Sequence, residues 1–201
     1  MPKKSVSEKN MLLDRRSRKT RASIVNAVIK LWHEKPGRHI RVADIINEAD
    51  VGRSTFYQHF TNRDEVCLSA LRSRLEIFAD LIVGAGDGLQ GELILADAWA
   101  HRRRIRENFP DFREKVAVLL ADLVEERLQS QAYAFDLPVR LVALQLAESC
   151  LAVFKGWIDA EAYAGPDDIV RFLKAPAEIG PGARSGRADV QALERRSLRT
   201  G

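Results

Sequence analysis

The residues from Arg53 to His59 include a dense set of side chains that form hydrogen bonds. An arginine guanidinium can make two hydrogen bonds to guanine, and a glutamine amide can make two to adenine, in the major groove of DNA. Serine and threonine hydroxyls bond to several base edges. We predict base-edge contacts from four residues, with a solvated surface role as the alternative for any single one: Arg53, Ser54, Thr55 and Gln58.

The surrounding pattern predicts how these side chains are held. Residues 42–60 read as a short apolar-periodic helix, a turn of about three residues and a second short helix, which is a helix-turn-helix. Phe56 and Phe60 lie one helical turn apart, so we expect them to anchor the second helix to the core. The opposite face then stays exposed, as a helix that enters a DNA groove requires.

Charge is distributed unevenly along the 201 residues, whose net charge is +4. Residues 1–74 contain 16 Lys and Arg against 8 Asp and Glu, whereas residues 75–180 contain 11 against 18. The last 21 residues contribute a net charge of +3. A basic front joined to an acidic body indicates a polyanionic partner at one end only, which fits double-stranded DNA.

Composition argues against other classes of protein. The N-terminus is polar and lacks a signal segment, and Cys67 and Cys150 are too far apart for a disulfide framework, which fits a reducing cytoplasm. The four histidines have no metal-ligand spacing and no nucleophile motif stands in a suitable context. We therefore expect a protein that is not an enzyme, with no catalytic residue, metal or cofactor.

From about Arg16 to Ala79 the sequence resembles the DNA-binding region of the TetR family of bacterial transcriptional regulators. Residues 55–60, Thr-Phe-Tyr-Gln-His-Phe, match the family pattern Thr-Phe-Tyr-x-His-Phe at every fixed position. The preceding turn departs from the family twice, with Asp50 in place of the usual glycine and Gly52 in place of the usual serine. Aspartate tolerates a left-handed backbone, and glycine is an acceptable but weaker N-cap.

The resemblance also implies contacts to phosphates. Tyr57 and His59 match positions that contact phosphates in the family, Arg63 takes the place of a frequent lysine, and Arg41 replaces a frequent threonine. Free N–H groups at the start of the helix that contains Arg63 would add to its phosphate clamp. Three basic residues nearer the N-terminus either track the minor groove or add non-specific attraction: Arg15, Arg16 and Arg18.

Helical periodicity and its breaks predict an all-α chain with two domains. We expect a helix-turn-helix domain of three helices followed by a helical ligand-binding and dimerisation domain. The predicted divisions are a disordered basic arm at 1–14, the DNA-binding domain at 15–62, the regulatory domain at 63–174 and a mostly disordered tail at 175–201. Helices are predicted at about 16–34, 92–107, 110–131, 138–162 and 166–174, with a capping box at Thr61-x-x-Asp64 and a glycine-rich loop at 84–91.

The predicted helix at 138–162 is apolar on nearly all sides between residues 141 and 154, so it should be buried on several faces. The stretch 141–154 is too short to cross a membrane, and it is charged at its ends by Arg140 and Lys155. In TetR-like proteins the last two helices form a four-helix bundle between subunits. Four small residues favour such a homodimer interface here, with core packing inside one subunit as the alternative: Ser149, Ala152, Gly156 and Ala160.

The family's second domain normally contains a small-molecule effector, which implies a pocket among the middle helices. Six aromatic residues are the candidates for its lining, although each is a common core residue: Trp99, Phe109, Phe112, Tyr133, Phe154 and Trp157. A dense cationic run is interpreted as a solvated face or as a site for an anionic ligand: His101, Arg102, Arg103, Arg104 and Arg106.

The combined expectation is a cytoplasmic, homodimeric regulator, in most cases of this kind a repressor, released from a palindromic operator by a small-molecule effector. One alternative is a regulator of the same fold that answers to a partner protein or to no signal. A nucleoid-type protein that binds DNA without sequence preference is another. An enzyme fused to a DNA-binding head would require convergent titratable residues in its pocket.

Overall fold

A computed structural model describes residues 6–34, 40–108, 110, 112–130 and 135–178. Within these ranges the chain forms nine α-helices and no strand, which confirms the predicted all-α class. The helices are α1 (Val6–Glu34), α2 (Val42–Ala49), α3 (Arg53–His59), α4 (Arg63–Ile82), α5 (Gly88–Ala100), α6 (Arg102–Asn108), α7 (Arg113–Ser130), α8 (Val139–Ile158) and α9 (Pro166–Glu178).

The chain divides into two compact units. The first takes in residues 1–73 and 107–112, and the second takes in 74–106 and 113–201. The division between Ser73 and Arg74 lies inside α4, whereas the predicted domain boundary lies at the start of that helix, between residues 62 and 63. A continuous helix has no break at which a sequence could mark such a division.

The first helix is longer than predicted. It begins at Val6 rather than near Arg16, so residues 6–14, which we expected to be disordered, are helical. No proline or glycine occurs between Ser5 and Glu34, so nothing in this stretch interrupts a helix once it forms.

The core of the first unit is built by four helices. Its buried side chains come from one face of each, and none is more than 8% exposed: Ile24, Ala27, Val28 and Leu31 of α1, Ile45 and Ala49 of α2, Phe56 of α3, Phe60 after it, and Val66, Cys67 and Ala70 of α4, together with Ile40. Ser23 of α1 donates a hydrogen bond to the Ala49 carbonyl at 3.4 Å. The core thus fixes the short helices α2 and α3, which bury too little surface to be stable alone.

The glycine-rich segment at 84–91 is only partly a loop. Helix α5 begins at Gly88, and Asp87 caps it by accepting a hydrogen bond from the Leu89 N–H at 3.0 Å. A Cβ on Gly91 would lie 2.6 Å from Cδ1 of Leu81, so this glycine permits α5 to approach the end of α4 closely.

Two helices, α5 and α6, replace the single helix predicted at 92–107. The break is at His101, which lies outside both helices with φ −106° and ψ 13°. Its Nδ1 makes a hydrogen bond at 2.8 Å with the carbonyl of Asp97, the same carbonyl that its backbone N–H uses. Neither proline nor glycine stands at this end of α5.

The second unit is held together by packing and by ion pairs between helices. Helix α7 packs along α8, and α5 packs against α9. Arg127 of α7 pairs with Asp80 of α4, and Arg113 of α7 pairs with Glu148 of α8. Arg140 of α8 donates to Asp122 at 2.6 Å and to Glu125 at 3.1 Å.

Helix α8 contains the stretch 141–154 and is long and apolar enough to cross a membrane by length and composition alone. The prediction of shortness concerned only that stretch, and the helix extends beyond it at both ends. Core helices of soluble proteins pass the same test, and α8 packs along α7 through a face that includes Ala143, Ala147 and Leu151. Helix α9 runs to Glu178, four residues into the predicted tail, and the rest of that tail lies outside the described residues.

Candidate nucleic-acid interface

The turn between α2 and α3 is closed by a left-handed residue. Asp50 has φ 51° and ψ 53°, which confirms that aspartate takes the conformation for which the related pattern uses glycine. The Val51 N–H donates to the Ile46 carbonyl at 3.2 Å, and the Asp50 N–H donates to the Asn47 carbonyl at 3.3 Å. These bonds satisfy the last carbonyls of α2 and redirect the chain into α3.

Gly52 is the N-cap of α3, as predicted. Its φ of −71° is open to any residue, and a Cβ there would have Thr55 Oγ1 at 3.7 Å as its nearest neighbour. Neither backbone conformation nor space therefore requires a glycine. The cost of glycine at this position is the missing side-chain acceptor for an N–H of α3.

Helix α3 is anchored by its two phenylalanines. Phe56 and Phe60 are fully buried, which confirms the predicted anchors, and their rings lie 6.1 Å apart. Tyr57 is 49% exposed and packs edge-on against Phe56 with a centroid distance of 5.3 Å. The face opposite the phenylalanines is left to solvent.

The polar side chains of α3 form three rows at a spacing of four residues. Ser54 and Gln58 make the row farthest from Phe56, and both are exposed. The flanking rows are Arg53 with Tyr57, both exposed, and Thr55 with His59, both half-buried. Such an arrangement presents donors and acceptors across the width of a groove-facing helix.

The predicted phosphate contacts have different local environments. Arg41 is exposed before α2, where its backbone N–H donates to Asp44 at 3.0 Å. Arg63 is half-buried and pairs with its neighbour Asp64, with Nη2 2.8 Å and Nε 2.9 Å from Oδ1. A phosphate would have to compete with this carboxylate for Arg63.

The cap at the start of α4 differs from the prediction by one residue. Asn62, and not Thr61, accepts the capping hydrogen bond, from the Glu65 N–H at 3.0 Å. Glu65, and not Asp64, reaches back, accepting from the N–H and the hydroxyl of Thr61 at 2.7 and 2.8 Å. These two bonds, with a smaller effect from nearby Arg21, lower the pKa of Glu65. The spacing Asn-x-x-Glu was the sequence signal for this cap.

Arg21 of α1 has a role that sequence reasoning missed. Its guanidinium lies 4.3 Å from the centre of the Phe60 ring and interacts with Glu65. It therefore connects α1 to the junction of α3 and α4. The sequence alone shows Arg21 only as one more member of the cationic run that begins at Arg15.

Four further cations of α1 are exposed on a helix and not on an extended arm: Arg15, Arg16, Arg18 and Lys19. Arg18 pairs with Asp14 at 3.2 Å. A helix about 10 Å across does not enter a minor groove about 6 Å wide. The helical conformation therefore fits the second of the two predicted roles, non-specific attraction to phosphates, and that role stays a prediction.

The aromatic residues predicted for an effector pocket do not all lie together. Trp99 and Trp157 stack at 4.9 Å, with Phe154 6.3 Å from Trp157. Trp157 is buried and donates through Nε1 to the Ala164 carbonyl at 2.9 Å. Phe112 instead packs against the core of the first unit, and its place in a pocket stays a prediction. Two further predicted liners lie outside the described residues: Phe109 and Tyr133.

Three of the four small residues predicted for a dimer interface lie on α8, and the fourth lies just after its end. Ser149 and Ala152 are exposed and Gly156 is half-buried. Ala160 follows the helix in a left-handed turn with φ 59°. Near the start of α8, Leu141 is also 52% exposed.

The cysteines are buried and have no reactive environment. Burial raises the pKa of Cys67 to about 11 and that of Cys150 to about 12. Both thiols therefore stay protonated at neutral pH, where only a thiolate would be an effective nucleophile.

Comparison with known proteins gives similarity at the level of solved structures. No family model and no curated protein matches the sequence. A TetR transcriptional regulator from Streptococcus agalactiae 2603V is 28% identical, with a TM-score of 0.47, and the match covers 84% of this chain and 98% of that one. The chain is similar to TetR-type regulators.

Two further structures are similar at lower identity. The dihydroxyacetone kinase operon activator DhaS is 23% identical with a TM-score of 0.46, over 80% of this chain and 97% of its own. A TetR-family protein from Rhodococcus sp. is 17% identical with a TM-score of 0.44, over 81% and 98%. The site geometry above stands on this chain's own residues and not on these neighbours.

Proposed function

We propose that this chain is a sequence-specific, DNA-binding transcriptional regulator of the TetR type. The observation that supports it best is α3, a helix anchored by Phe56 and Phe60 that presents three rows of hydrogen-bonding side chains. It follows a tight left-handed turn at Asp50, in a part of the chain with a net charge of +8 over residues 1–74. Fold resemblance alone would not support a function.

In this proposal α3 enters the major groove. Ser54 and Gln58 occupy the central row and, with Arg53 and Thr55, contact base edges. Tyr57, His59, Arg41 and Arg63 contact phosphates, which sets the position of the helix without reading sequence.

The regulator acts as a homodimer through α8 and α9. The exposed Leu141 and Ala152 on α8 support this assembly, because apolar side chains are costly in water and a twofold axis would place them against their own copy. Two recognition helices would then read half-sites about 34–36 Å apart, or a multiple of that distance, in a palindromic operator.

We further propose that the protein is a cytoplasmic repressor that a small-molecule effector releases from DNA. The effector must bind the two conformations with different affinities, and a tenfold release requires about 1.4 kcal/mol of difference. The stacked pair Trp99 and Trp157 supports an aromatic wall for such a ligand in the second unit. An activator, or a regulator without a ligand, would share the same interface with DNA.

The experiment that tests the DNA contacts is a salt titration of binding with single variants. Arg63→Ala should weaken binding equally on all sequences and lower the salt slope by about one for each subunit that binds. Asp64→Asn should strengthen binding, because it removes the carboxylate that competes with phosphate for Arg63. Arg103→Ala on α6, an exposed arginine of the second unit outside the proposed dimer interface, is the matched control for loss of charge.

Gln58→Ala should relax the preference at a single base position. An unchanged preference profile would remove Gln58 from the base readers. A change of base preference at constant salt slope in Arg63→Ala would remove Arg63 from the phosphate contacts.

A further inference from the structure

Two side chains of α1 contact the ends of the two short helices in the helix-turn-helix. Ser23 donates a hydrogen bond at 3.4 Å to the carbonyl of Ala49, the last residue of α2. Arg21 lies over the ring of Phe60, the C-cap of α3, with its guanidinium carbon 4.3 Å from the ring centre. Because both side chains belong to one continuous helix, α1 supports the end of α2 and the end of α3 together.

Helix α3 depends on such support for its orientation. It has only seven residues, and its N-cap Gly52 makes no side-chain hydrogen bond to the first turn. A helix of this length is not stable alone, so its direction is set by the side chains that anchor it. These anchors are Phe56 and Phe60, and a guanidinium that stacks on the second ring restricts where that ring can lie.

The charge of Arg21 also acts on the start of α4. Glu65 accepts hydrogen bonds from the N–H and the hydroxyl of Thr61 at 2.7 and 2.8 Å. These bonds lower the pKa of Glu65, and the positive charge of Arg21 adds to their effect. Arg21 therefore interacts with a residue on each side of the junction between α3 and α4, namely Phe60 and Glu65.

We propose that Arg21 is a positioning residue for DNA recognition, which sets the orientation of α3 through the ring of Phe60. This role rests on the proposed function. Packed rings continue from Phe60 to Phe56 at 6.1 Å and from Phe56 to Tyr57 at 5.3 Å, so a shift of Phe60 reaches the exposed side of α3. Hydrogen bonds to base edges depend steeply on distance and angle, whereas attraction to phosphates does not depend on sequence. Loss of Arg21 should therefore reduce sequence preference more than general affinity for DNA.

A direct contact with phosphate is the competing role, because Arg21 is exposed. The two roles differ in their dependence on salt. A phosphate contact adds about one to the salt slope for each subunit that binds, and it adds the same affinity on every sequence. A positioning residue adds sequence preference and leaves the salt slope unchanged.

The test compares two duplexes of equal length in binding to the full chain. One is the palindrome that the wild-type protein enriches from a random DNA pool, and the other is a scrambled version of it. Arg21→Gln should lower the ratio of the two affinities about twofold to fivefold for each subunit that binds, as expected for a cation–π contact at an exposed site. The salt slope on the palindrome should equal that of the wild type.

Arg16→Gln is the matched comparison, because it removes another exposed cation from α1. It should weaken binding to both duplexes alike and lower the salt slope. Arg21→Lys keeps a cation that the ring attracts, so it should restore most of the preference.

Phe60→Leu shows whether the effect passes through the ring. This change removes the aromatic face and keeps an apolar side chain in the core. In the Phe60→Leu background, Arg21→Gln should change the affinity ratio less than it does in the wild type. If Phe60→Leu fails to fold, the partial rescue by Arg21→Lys still separates a cation on the ring from a plain loss of volume.

Urea unfolding of the same variants separates positioning from stability. A lower unfolding free energy in Arg21→Gln with an unchanged affinity ratio would make the contact purely structural and overturn the positioning role. Equal losses on both duplexes with a smaller salt slope would overturn it in favour of a phosphate contact. A wild-type chain that binds both duplexes equally would overturn the proposed function itself, and the role of Arg21 with it.

Discussion

Asp50 is the residue on which the geometry of the turn before α3 most depends. An L-residue in the left-handed region is strained, less so for aspartate than for alanine, whereas glycine carries no such strain. We predict that Asp50→Ala lowers the free energy of unfolding by about 1 kcal/mol. Asp50→Gly should raise it by up to about 1 kcal/mol.

Urea unfolding of the full chain measures both effects. Ala43→Gly, at an exposed position of α2 with ordinary helical backbone, is the control and should destabilise by up to about 1 kcal/mol. If glycine destabilised at both positions alike, the left-handed backbone at Asp50 would not be the cause of the difference.

Glu65 makes the start of α4 sensitive to acid. Hydrogen bonds from Thr61 lower its pKa in the folded state, so its contribution to stability is fully present above the ordinary glutamate value of about 4.3. That contribution is lost as the pH falls through the lowered folded pKa. Between about pH 6 and pH 3, the unfolding free energy should fall less steeply in Glu65→Gln than in the wild type.

Glu114→Gln serves as the matched control for acid unfolding. Glu114 is an exposed glutamate in the first turn of α7. Its substitution should leave the steepness of the wild-type acid response in place. Equal responses in Glu65→Gln and the wild type would show that the bonds from Thr61 do not stabilise the carboxylate.

At the scale of residues, the sequence predicted those features that depend on neighbouring positions in the chain. The buried pair Phe56 and Phe60 and the left-handed Asp50 each follow from their neighbours along the chain. The packing of Phe112 in the first unit did not follow, because it depends on a segment distant in sequence. The ion pair of Arg63 with Asp64 competes with the phosphate contact that the family resemblance implies for Arg63.

At the scale of elements, helix ends were predictable where proline or a capping residue marks them. Pro138 and Pro166 stand at the starts of α8 and α9. The end of α5 at His101 was not predictable, because neither proline nor glycine marks it. The early start of α1 was missed because residues 1–14 were interpreted as a disordered basic arm.

Helix α8 provides the test of the proposed assembly. Ala152 is an exposed small residue of α8, so Ala152→Arg would place a large charged side chain inside the proposed dimer interface. We predict a shift from dimer to monomer in sedimentation equilibrium. The wild-type protein should sediment as a species of twice the 22.6 kDa mass of one chain.

Ala96→Arg on α5 is the control for the assembly, because Ala96 is also an exposed helical alanine of the second unit. It should remain dimeric. A dimer that survives Ala152→Arg with unchanged affinity would exclude this face of α8 from the interface.

At the scale of the whole molecule, charge and structure divide the chain in a similar way. The basic excess of residues 1–74 ends next to the division between Ser73 and Arg74. The proposed contact with a polyanion therefore belongs to the first unit, and the proposed surfaces for assembly and ligand belong to the second unit, which contains most of the acidic stretch 75–180. Composition predicted this polarity, but the position of the division inside α4 required the structure.

The most direct test of the central proposal is selection of bound duplexes from a random DNA pool by the full chain, followed by sequencing. The account predicts an enriched palindrome whose half-sites are about one helical turn apart, or a multiple of it. The double variant Tyr57→Ala with Arg63→Ala should lose this enrichment. Retention of DNA that depends on salt but enriches no sequence would contradict sequence-specific regulation and indicate non-specific binding.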